Sequence, residues 1–503
     1  MSAPGARAAR AGSAVPWLVA LVVGAAATLP WTVQRHWDAK PDAATYLLAA
    51  RSLARGEGYR VLGEPFTLRP PGWSALLAPL VAWRGFDFAA INLAGGLVGI
   101  LAVALLFVLL RPRLGDPVAC AVAATVWLAP RFQQLCNQAL SDVPGFAAAI
   151  AALLAIRAAV ARPSAARDLL AAVAIAASAW VRSANVLLVP AFAAARALAP
   201  AAGGGGSVVS RLVRALPACG LAVALYLPWA LVPDVPIPWG GDALQSYATA
   251  LLRTDPVDPG SPVVGPAEAL SRVARNGLSY AALFGSKDGV HPTAAAVVIA
   301  VAATLSWLVV LARRREAPEW FAGLTALLVV AYYVAQARLA LVPAAVALAA
   351  MAEVARSFVR RFAPAVGGDA AVVALLAAAA LAMRLGGAGP TRSRSAARAA
   401  DFDFVATRLR EAFVPGERLG ADFGTVWALF LDRPVEGLQS VCNRLGPDAA
   451  RARVAQLRLD RLVLLSDGPC RSLVDLGDEE MRQGSIVVLR LRPVTPGGAG
   501  GAP

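Results

Sequence analysis

The chain has 503 residues, 58% of them hydrophobic and 16% charged, with a formal net charge of +15. Ala, Leu and Val come in long runs rather than in alternation, and runs of about 18 or more apolar residues read as membrane-spanning helices, which excludes a soluble globular protein. The basic excess is almost wholly Arg, the only lysines being Lys40 and Lys287; it is scattered through short loops between apolar runs, the pattern of a polytopic membrane protein and not of a nucleic-acid binder.

The first apolar run, Val15 to Trp31, follows Arg7 and Arg10. It lacks a small-x-small cleavage site before a polar start, so it is expected to stay in the membrane as a signal anchor. Run length and flanking charge predict about eleven spans, near residues 14–32, 88–110, 116–131, 143–161, 168–182, 184–199, 213–232, 291–311, 318–337, 339–356 and 369–385. The fifth and sixth meet in a tight turn at Arg182 and Ser183. Trp73 to Trp83 is apolar but too short to span, and is expected at the interface or packed beneath the protein.

With the N-terminus in the cytoplasm, the cytoplasmic loops hold Arg111 and Arg113, Arg162 and Arg167, Arg211 and Arg214, Arg313 to Arg315, and Arg356, Arg360 and Arg361. Every dense arginine cluster between spans then falls on one side, as positive-inside topology requires. The opposite face receives loops 33–87 and 233–290 and the tail. A membrane domain over 1–390 is therefore followed by an extracytoplasmic one over 391–494. That tail is nearly neutral, with 16 arginines against 14 acidic residues beyond residue 385.

The tail reads as a helix (Asp401 to Phe413), a strand (Arg418 to Ala421), helices near Phe423 to Leu431 and Asp448 to Leu457, and strands at Arg461 to Leu465 and Ile486 to Leu491. Alternation of this kind predicts a small α/β domain. Arg392 to Arg398 reads as a linker. Residues 495–503 are Gly/Pro-rich and expected to be disordered, and Gly203 to Gly206 to form a flexible cytoplasmic loop. Of the five cysteines, Cys120 and Cys219 sit in apolar runs as packing residues. Cys442 and Cys470 are able to pair if the tail faces an oxidising compartment. No cysteine spacing of metal-binding type occurs.

Ionisable groups at the membrane edge are costly and are functional candidates by default. On the outer face lie Asp38, Lys40 and Asp42, then a short helix Tyr46 to Ala54, Gly56-Glu57-Gly58-Tyr59, and Arg69-Pro70-Pro71-Gly72-Trp73. This order resembles the GT-C superfamily of glycosyltransferases, and is most similar to the protein mannosyltransferase and aminoarabinose transferase branch, glycosyltransferase family 39. Three further stretches carry the resemblance: Ser141-Asp142 opening the fourth span, Trp180-Val181-Arg182-Ser183 after the fifth, and Arg338-Leu339-Ala340-Leu341-Val342-Pro343. The chain departs from the family pattern at Leu339, where an aromatic is usual, at Ser183 and Ala184, where Pro is usual, and at Asp142, where Glu is more frequent.

The resemblance implies a GT-C fold and transfer of a sugar from a polyprenyl-phosphate donor to a hydroxyl of a lipid, glycan or protein acceptor. It places this at the outer face of a bacterial cytoplasmic membrane. It implies Asp42 as the base, with Asp142 as a second acid. Arg69, Arg182, Arg338 and Lys287 are candidates to hold the phosphate, because planar guanidinium forks pair two phosphate oxygens. Asp38, Tyr46, Tyr59 and Trp73 are candidates for the sugar or acceptor pocket. No cofactor and no metal is expected; His36 and His291 are too few and too far apart for a metal site, and Asp38, Asp42 and Asp142 would be the only oxygen ligands for a divalent ion. The plainer readings are that Asp42 and Asp142 cap helices and that Arg182 and Arg338 snorkel at helix ends. Competing functions are a non-catalytic glycolipid binder of the same fold and a polytopic transporter or flippase. The chain shows no internal repeat, and its charges gather at one face rather than at mid-membrane.

Overall fold

The computed structural model describes residues 14–38, 40–198, 207–235, 237, 239, 246–255, 260–282, 292–363, 367–387, 390–439 and 441–492. Lys287, His291, the run Gly203–Gly206 and the chain end beyond residue 492 lie outside them.

Each expected span holds a helix, but among the described residues five helices are long and apolar enough to cross a membrane: Phe88–Leu114, Asp142–Ala161, Val208–Ala230, Ala294–Arg314 and Ala337–Phe362. Ala14–Ala27, Asp116–Leu128, Ser183–Leu198, Ala317–Ala331 and Gly368–Met383 are apolar but shorter. The roughly eleven spans that run length suggested thus correspond to helices of very unequal length. The reason is visible at the ends of the short helices. Ala129 is extended before Pro130 restarts the chain as a second helix. Ala317–Ala331 stops at an extended Tyr332, and Arg182, extended after Ala165–Val181, leads into the 3-10 turn Ser183–Leu187. Apolar composition continues through these breaks, so hydropathy alone joins what the backbone separates.

Charges gather at the two ends of one long helix. At the start of Phe88–Leu114, the Asn92 amide donates to the carbonyls of Gln34 and His36, both at 2.9 Å. At its other end, Arg113 pairs with the wholly buried Glu319 and lies 3.9 Å from Glu353. Arg314 also reaches Glu353, at 2.8 Å, and Arg356 reaches both Asp369 and the Arg113 carbonyl. Three of the arginine-bearing loops assigned above to one side thus meet. At 1.5 Å per residue Arg113 lies about 30 Å along the helix from Asn92.

The segment Trp73–Trp83 belongs to the helix Gly72–Arg84, which leaves Trp83 and Leu76 exposed. Before it stands a hairpin of two short strands, β1 (Arg60–Val61) and β2 (Glu64–Pro65). The C-terminal part forms a five-stranded sheet of β3 (Leu419–Ala421), β4 (Glu436–Gly437), β5 (Arg461–Leu465), β6 (Gly477–Gln483) and β7 (Ile486–Leu491), in the order β4-β3-β5-β7-β6. β3 runs parallel to β4 and β5, while β7 is antiparallel to β5 and β6. β5 and the first part of β7 are buried and strongly apolar, which made them readable. The sequence pattern missed β4, which is only two residues long, and β6, an edge strand of sequence GDEEMRQ whose charges blunt an exposed edge. The expected linker 392–398 is instead helical, within Pro390–Ala412, as its content of Ala and Arg allows. Cys442 and Cys470 form a disulfide, with Cα atoms 5.2 Å apart.

Aromatic packing docks this sheet on the membrane part. Trp37 stacks on Phe88 at 5.4 Å between ring centroids and touches Phe430 at 5.8 Å; Phe430 in turn stacks on Phe402 at 5.7 Å. The Thr425 hydroxyl donates to the Pro41 carbonyl at 3.3 Å, and Arg51 pairs with Asp432.

Asp422, just after β3, is 1% exposed; its Oδ2 accepts the Leu465 amide at 2.6 Å, and its Oδ1 has no partner among the described residues. Burial pushes its carboxyl up to about 7. A carboxyl whose folded pKa exceeds its unfolded value binds more protons folded than unfolded, so its contribution to stability falls as pH rises from about 4 to about 7. Thermal unfolding of the C-terminal sheet between pH 4 and pH 8 is expected to show this slope in the native chain and to flatten in Asp422→Asn. An unchanged slope would remove Asp422 as its source.

Candidate active site

Five ionisable side chains from five separated stretches of chain meet at one point. The helix Pro41–Ala54 carries Asp42 in its first turn. Its N-cap is Lys40 with no side-chain cap, so the Asp42 carboxylate is free of capping duty. It accepts from Arg338 Nη2 at 2.6 Å and lies 3.7 Å from Arg69 Nη2. Asp142 opens the helix Asp142–Ala161 after Ser141 and also makes no cap. It pairs with Arg182 at 2.9 Å and with Arg338 Nη1 at 3.8 Å. Arg338 thus bridges the two aspartates with the two arms of its guanidinium fork. Its Nε donates to Gln336 Oε1 at 2.8 Å, which fixes the plane of that fork.

Local structure explains how each arginine is delivered. Arg338 sits in the 3-10 turn Ala337–Ala340, after the break at Tyr332 and before the helix Leu341–Phe362. Irregular backbone at membrane depth is tolerated only where it is buried in protein or lines a cavity, and Tyr332–Leu339 lines one. Arg182 is the extended residue after Ala165–Val181, and its stem lies against Gly145, where a Cβ would come within 2.8 Å of it. Arg69, 6% exposed, is held by the turn before Gly72–Arg84. The Tyr59 hydroxyl donates to its carbonyl at 3.1 Å, and its guanidinium lies over the Tyr247 ring, 4.4 Å from the centroid. Cation–π contact of this kind keeps an arginine in place without consuming its hydrogen bonds.

These groups line a cavity of about 1210 Å³. Tyr46 is in its wall, its hydroxyl 2.9 Å from Ser141 Oγ. Trp73 and Tyr59 are not: Trp73 is buried with its indole N–H donating to the Ala139 carbonyl at 2.9 Å, and Tyr59 supports the Arg69 turn. Both were candidate pocket residues and are supports behind it, because each spends its polar tip on backbone. Asp38 also stays out of the wall, accepting from Gln134 and Gln138 and pairing with Lys40 at 3.4 Å. Among the described residues no three His, Cys, Asp or Glu side chains converge as a metal cluster would.

Several wall residues carry no sequence signal. Tyr247 comes from the long loop 233–290, where no motif marks it, and Arg131 follows a helix break inside an apolar run. Tyr332 and Gln336 flank the Arg338 turn; the run Tyr332-Tyr333 before Arg338 is the one hint the sequence offered.

Burial alone would raise the Asp42 carboxyl, but the guanidiniums of Arg338 and Arg69 outweigh it and hold the group below the usual carboxylate range. Asp42 is therefore an anion. Burial pushes the Tyr46 phenol well up, so it remains a neutral hydroxyl. The cavity combines a cationic fork, two anionic carboxylates and an apolar flank of Leu187, Leu328 and Leu341. Such a site can bind a phosphate that enters from lipid and can accept a proton beside it.

No protein-family model and no curated protein matches this sequence. Solved structures do. ArnT from Cupriavidus metallidurans, in crystals bound to undecaprenyl phosphate and in the apo state, aligns with a TM-score of 0.58 in both. Identity is 13% and 15%, over 95% of this chain and 98% of ArnT. The archaeal oligosaccharyltransferase AglB from Archaeoglobus fulgidus, in complex with an inhibitory peptide and a dolichol-phosphate, aligns with a TM-score of 0.50. Its identity is 16%, over 89% of this chain and 69% of AglB. At such identity the likeness is one of fold, and the fold is that of the GT-C glycosyltransferases, which the motifs around Asp42, Arg69, Arg182 and Arg338 resemble.

A Cβ at Gly72 would fall 2.5 Å from the Trp180 carbonyl oxygen. Gly72→Ala is therefore expected to push the Arg69 turn away from the chain leading to Arg182, costing about 1–3 kcal/mol. Thermal unfolding of the purified variant checks it; an unchanged midpoint would show that the two segments need not touch.

Proposed function

We propose that this chain is a membrane glycosyltransferase that moves a sugar from a polyprenyl phosphate to an acceptor hydroxyl at the outer face of a bacterial cytoplasmic membrane. The observation that carries the reading is Arg338, shared between Asp42 and Asp142 in a cavity that also has an apolar flank. A buried fork held by two carboxylates is a preorganised place for a third anion, because no arginine has to be recruited when phosphate arrives.

In this reading the lipid lies along the apolar flank, and its phosphate engages Arg338, Arg69 and Arg182. Lys287 is a further candidate for the same anion. The acceptor oxygen attacks the anomeric carbon on the face opposite the phosphate. A new C–O bond forms, the bond from the anomeric carbon to phosphate oxygen breaks, and the electron pair leaves with the lipid phosphate. The configuration inverts, and the acceptor proton passes to Asp42. Asp42 is held below the usual carboxylate range while Arg338 and Arg69 face it. When phosphate draws those guanidiniums, the carboxylate becomes the stronger base at the moment it is needed. Asp142 keeps Arg182 and Arg338 in register.

Two features support the outer location. The Cys442–Cys470 disulfide belongs to the sheet that docks beside Pro41 and Asp42, and such bonds persist in oxidising compartments. The arginine-rich loops meet at the far end of Phe88–Leu114, which is the cytoplasmic end by the positive-inside rule.

Asp42→Asn is expected to lower transfer by roughly 10²- to 10⁴-fold with expression and folding intact, measured as product formed from a polyprenyl-phosphate sugar. Undiminished transfer would reject Asp42 as the base. Arg338→Ala is expected to abolish binding of undecaprenyl phosphate, whereas Arg313→Ala, at the opposite helix end, leaves it intact. Equal effects of the two would reject the phosphate site.

A further inference from the structure

Five amide side chains line the cavity: Gln138, Asn185, Gln336, Gln439 and Asn443. Three are already committed. Gln138 donates to Asp38, Asn185 donates to the Gly145 carbonyl at 2.9 Å and to Ser178 Oγ at 2.8 Å, and Gln336 accepts from Arg338. Gln439 and Asn443 make no hydrogen bond to any described residue.

Both uncommitted amides come from the C-terminal sheet. They follow β4, and Asn443 lies in the π-helical turn Val441–Leu445. This stretch is fixed from several directions. The Gly437 amide donates to the Trp239 carbonyl at 3.2 Å, and the Leu438 amide donates to Ala421 of β3 at 2.9 Å. The Cys442 amide donates to the Leu438 carbonyl at 3.0 Å, and its sulfur is bonded to Cys470, which is buried in the sheet. The same sheet touches the Pro41 carbonyl through Thr425, one residue from Asp42. Backbone ordering here has been completed by contacts that leave these two side chains unspent.

The chemistry of the pair differs from that of the arginine cluster. A carboxamide offers two donors and one acceptor oxygen and carries no charge. It matches neighbouring hydroxyls, each of which both donates and accepts, and it has little to offer a phosphate beside three guanidiniums. We infer that Gln439 and Asn443 form a subsite that reads the hydroxyls of the sugar being transferred, so that the C-terminal sheet is a working wall of the cavity. The inference rests on the lipid-phosphate-sugar reading above and adds to it the residues that select the sugar.

The test compares two kinds of lipid on the full-length chain in lipid nanodiscs. One is undecaprenyl phosphate; the others are the same lipid bearing a glucosyl, mannosyl, galactosyl or arabinosyl group. The native chain is expected to bind at least one glycosylated lipid more tightly than the bare one. Gln439→Ala and Asn443→Ala are each expected to cut that preference by about 2- to 10-fold, the range for one hydrogen bond, and to leave the Kd for bare undecaprenyl phosphate unchanged. Retained preference in both variants would overturn the subsite and assign the amides to the acceptor or to neither. Equal weakening toward bare and glycosylated lipid would overturn it too, since that is loss of structure. A native chain that binds bare lipid yet prefers no glycosylated form would also sink it. Failure of the native chain to bind any of these lipids would instead reject the donor reading itself.

Discussion

The guanidinium of Arg338 is the interaction on which the site depends. It touches Asp42 with one arm and Asp142 with the other, and so joins a largely buried helix near the start of the chain, a long apolar helix and a late 3-10 turn. Ion pairs withdrawn from water gain little net stability, because desolvation offsets most of the attraction. A hydrophobic trio at these positions would hold the helices together at least as well. What the charged trio supplies is geometry: planar fork, two carboxylates, one possible arrangement. Arg69 beside Asp42 and Arg182 beside Asp142 give each carboxylate a second cation, so the cluster is a connected network rather than a single pair.

Irregular backbone is the price of that geometry. Arg182 and Arg338 both lie where a helix stops short and a 3-10 turn follows. In hydrocarbon, unsatisfied amides would be prohibitive, so such breaks belong where side chains and a polar cavity receive them. The same breaks explain what could be read from composition. Hydropathy located the apolar helix-bearing segments, but not polar helices such as Pro266–Ala281 or the start of Pro390–Ala412, and it gave no measure of how far each apolar helix runs. The motifs around Asp42, Arg69, Asp142, Arg182 and Arg338 were legible because each charge interrupts or flanks an apolar run, where charge is conspicuous. Tyr247, Arg131, Gln439 and Asn443 were not, because loop and tail residues of those types are ordinary in sequence and gain meaning only from what the fold sets opposite them. Trp73 and Tyr59 lie outside the cavity wall. Aromatic residues beside a catalytic motif suggest a sugar platform, yet here their polar tips hold the backbone that presents Arg69 and Asp142.

Two ion clusters divide the molecule's labour. The one around Arg113, Glu319, Glu353 and Arg314 is packed between helix ends, with Glu319 wholly buried. It ties the arginine-bearing loops to one another. The one around Arg338 is equally charged but opens onto about 1210 Å³ of space. Similar residues in similar pairings therefore hold helix ends together at one place and line a cavity at the other.

Charge balance shows why this guest would fit. Within the ion-paired cluster alone, Arg69, Arg182 and Arg338 against Asp42 and Asp142 leave one positive charge in excess, and Lys40, Arg131, Arg272 and Arg275 add further cations to the cavity wall against Glu268. On the proposed reading, a sugar-linked phosphate diester brings one negative charge to this cationic cavity. Transfer turns the diester into a monoester and adds a second negative charge to phosphate. In the same step the acceptor's proton neutralises Asp42. The sum across the cluster is then unchanged by the transfer, so the step itself creates no new unbalanced charge there. On the proposed reading, one carboxylate takes the acceptor's proton while the other holds two of the guanidiniums, so the two acids have separate work in one cluster.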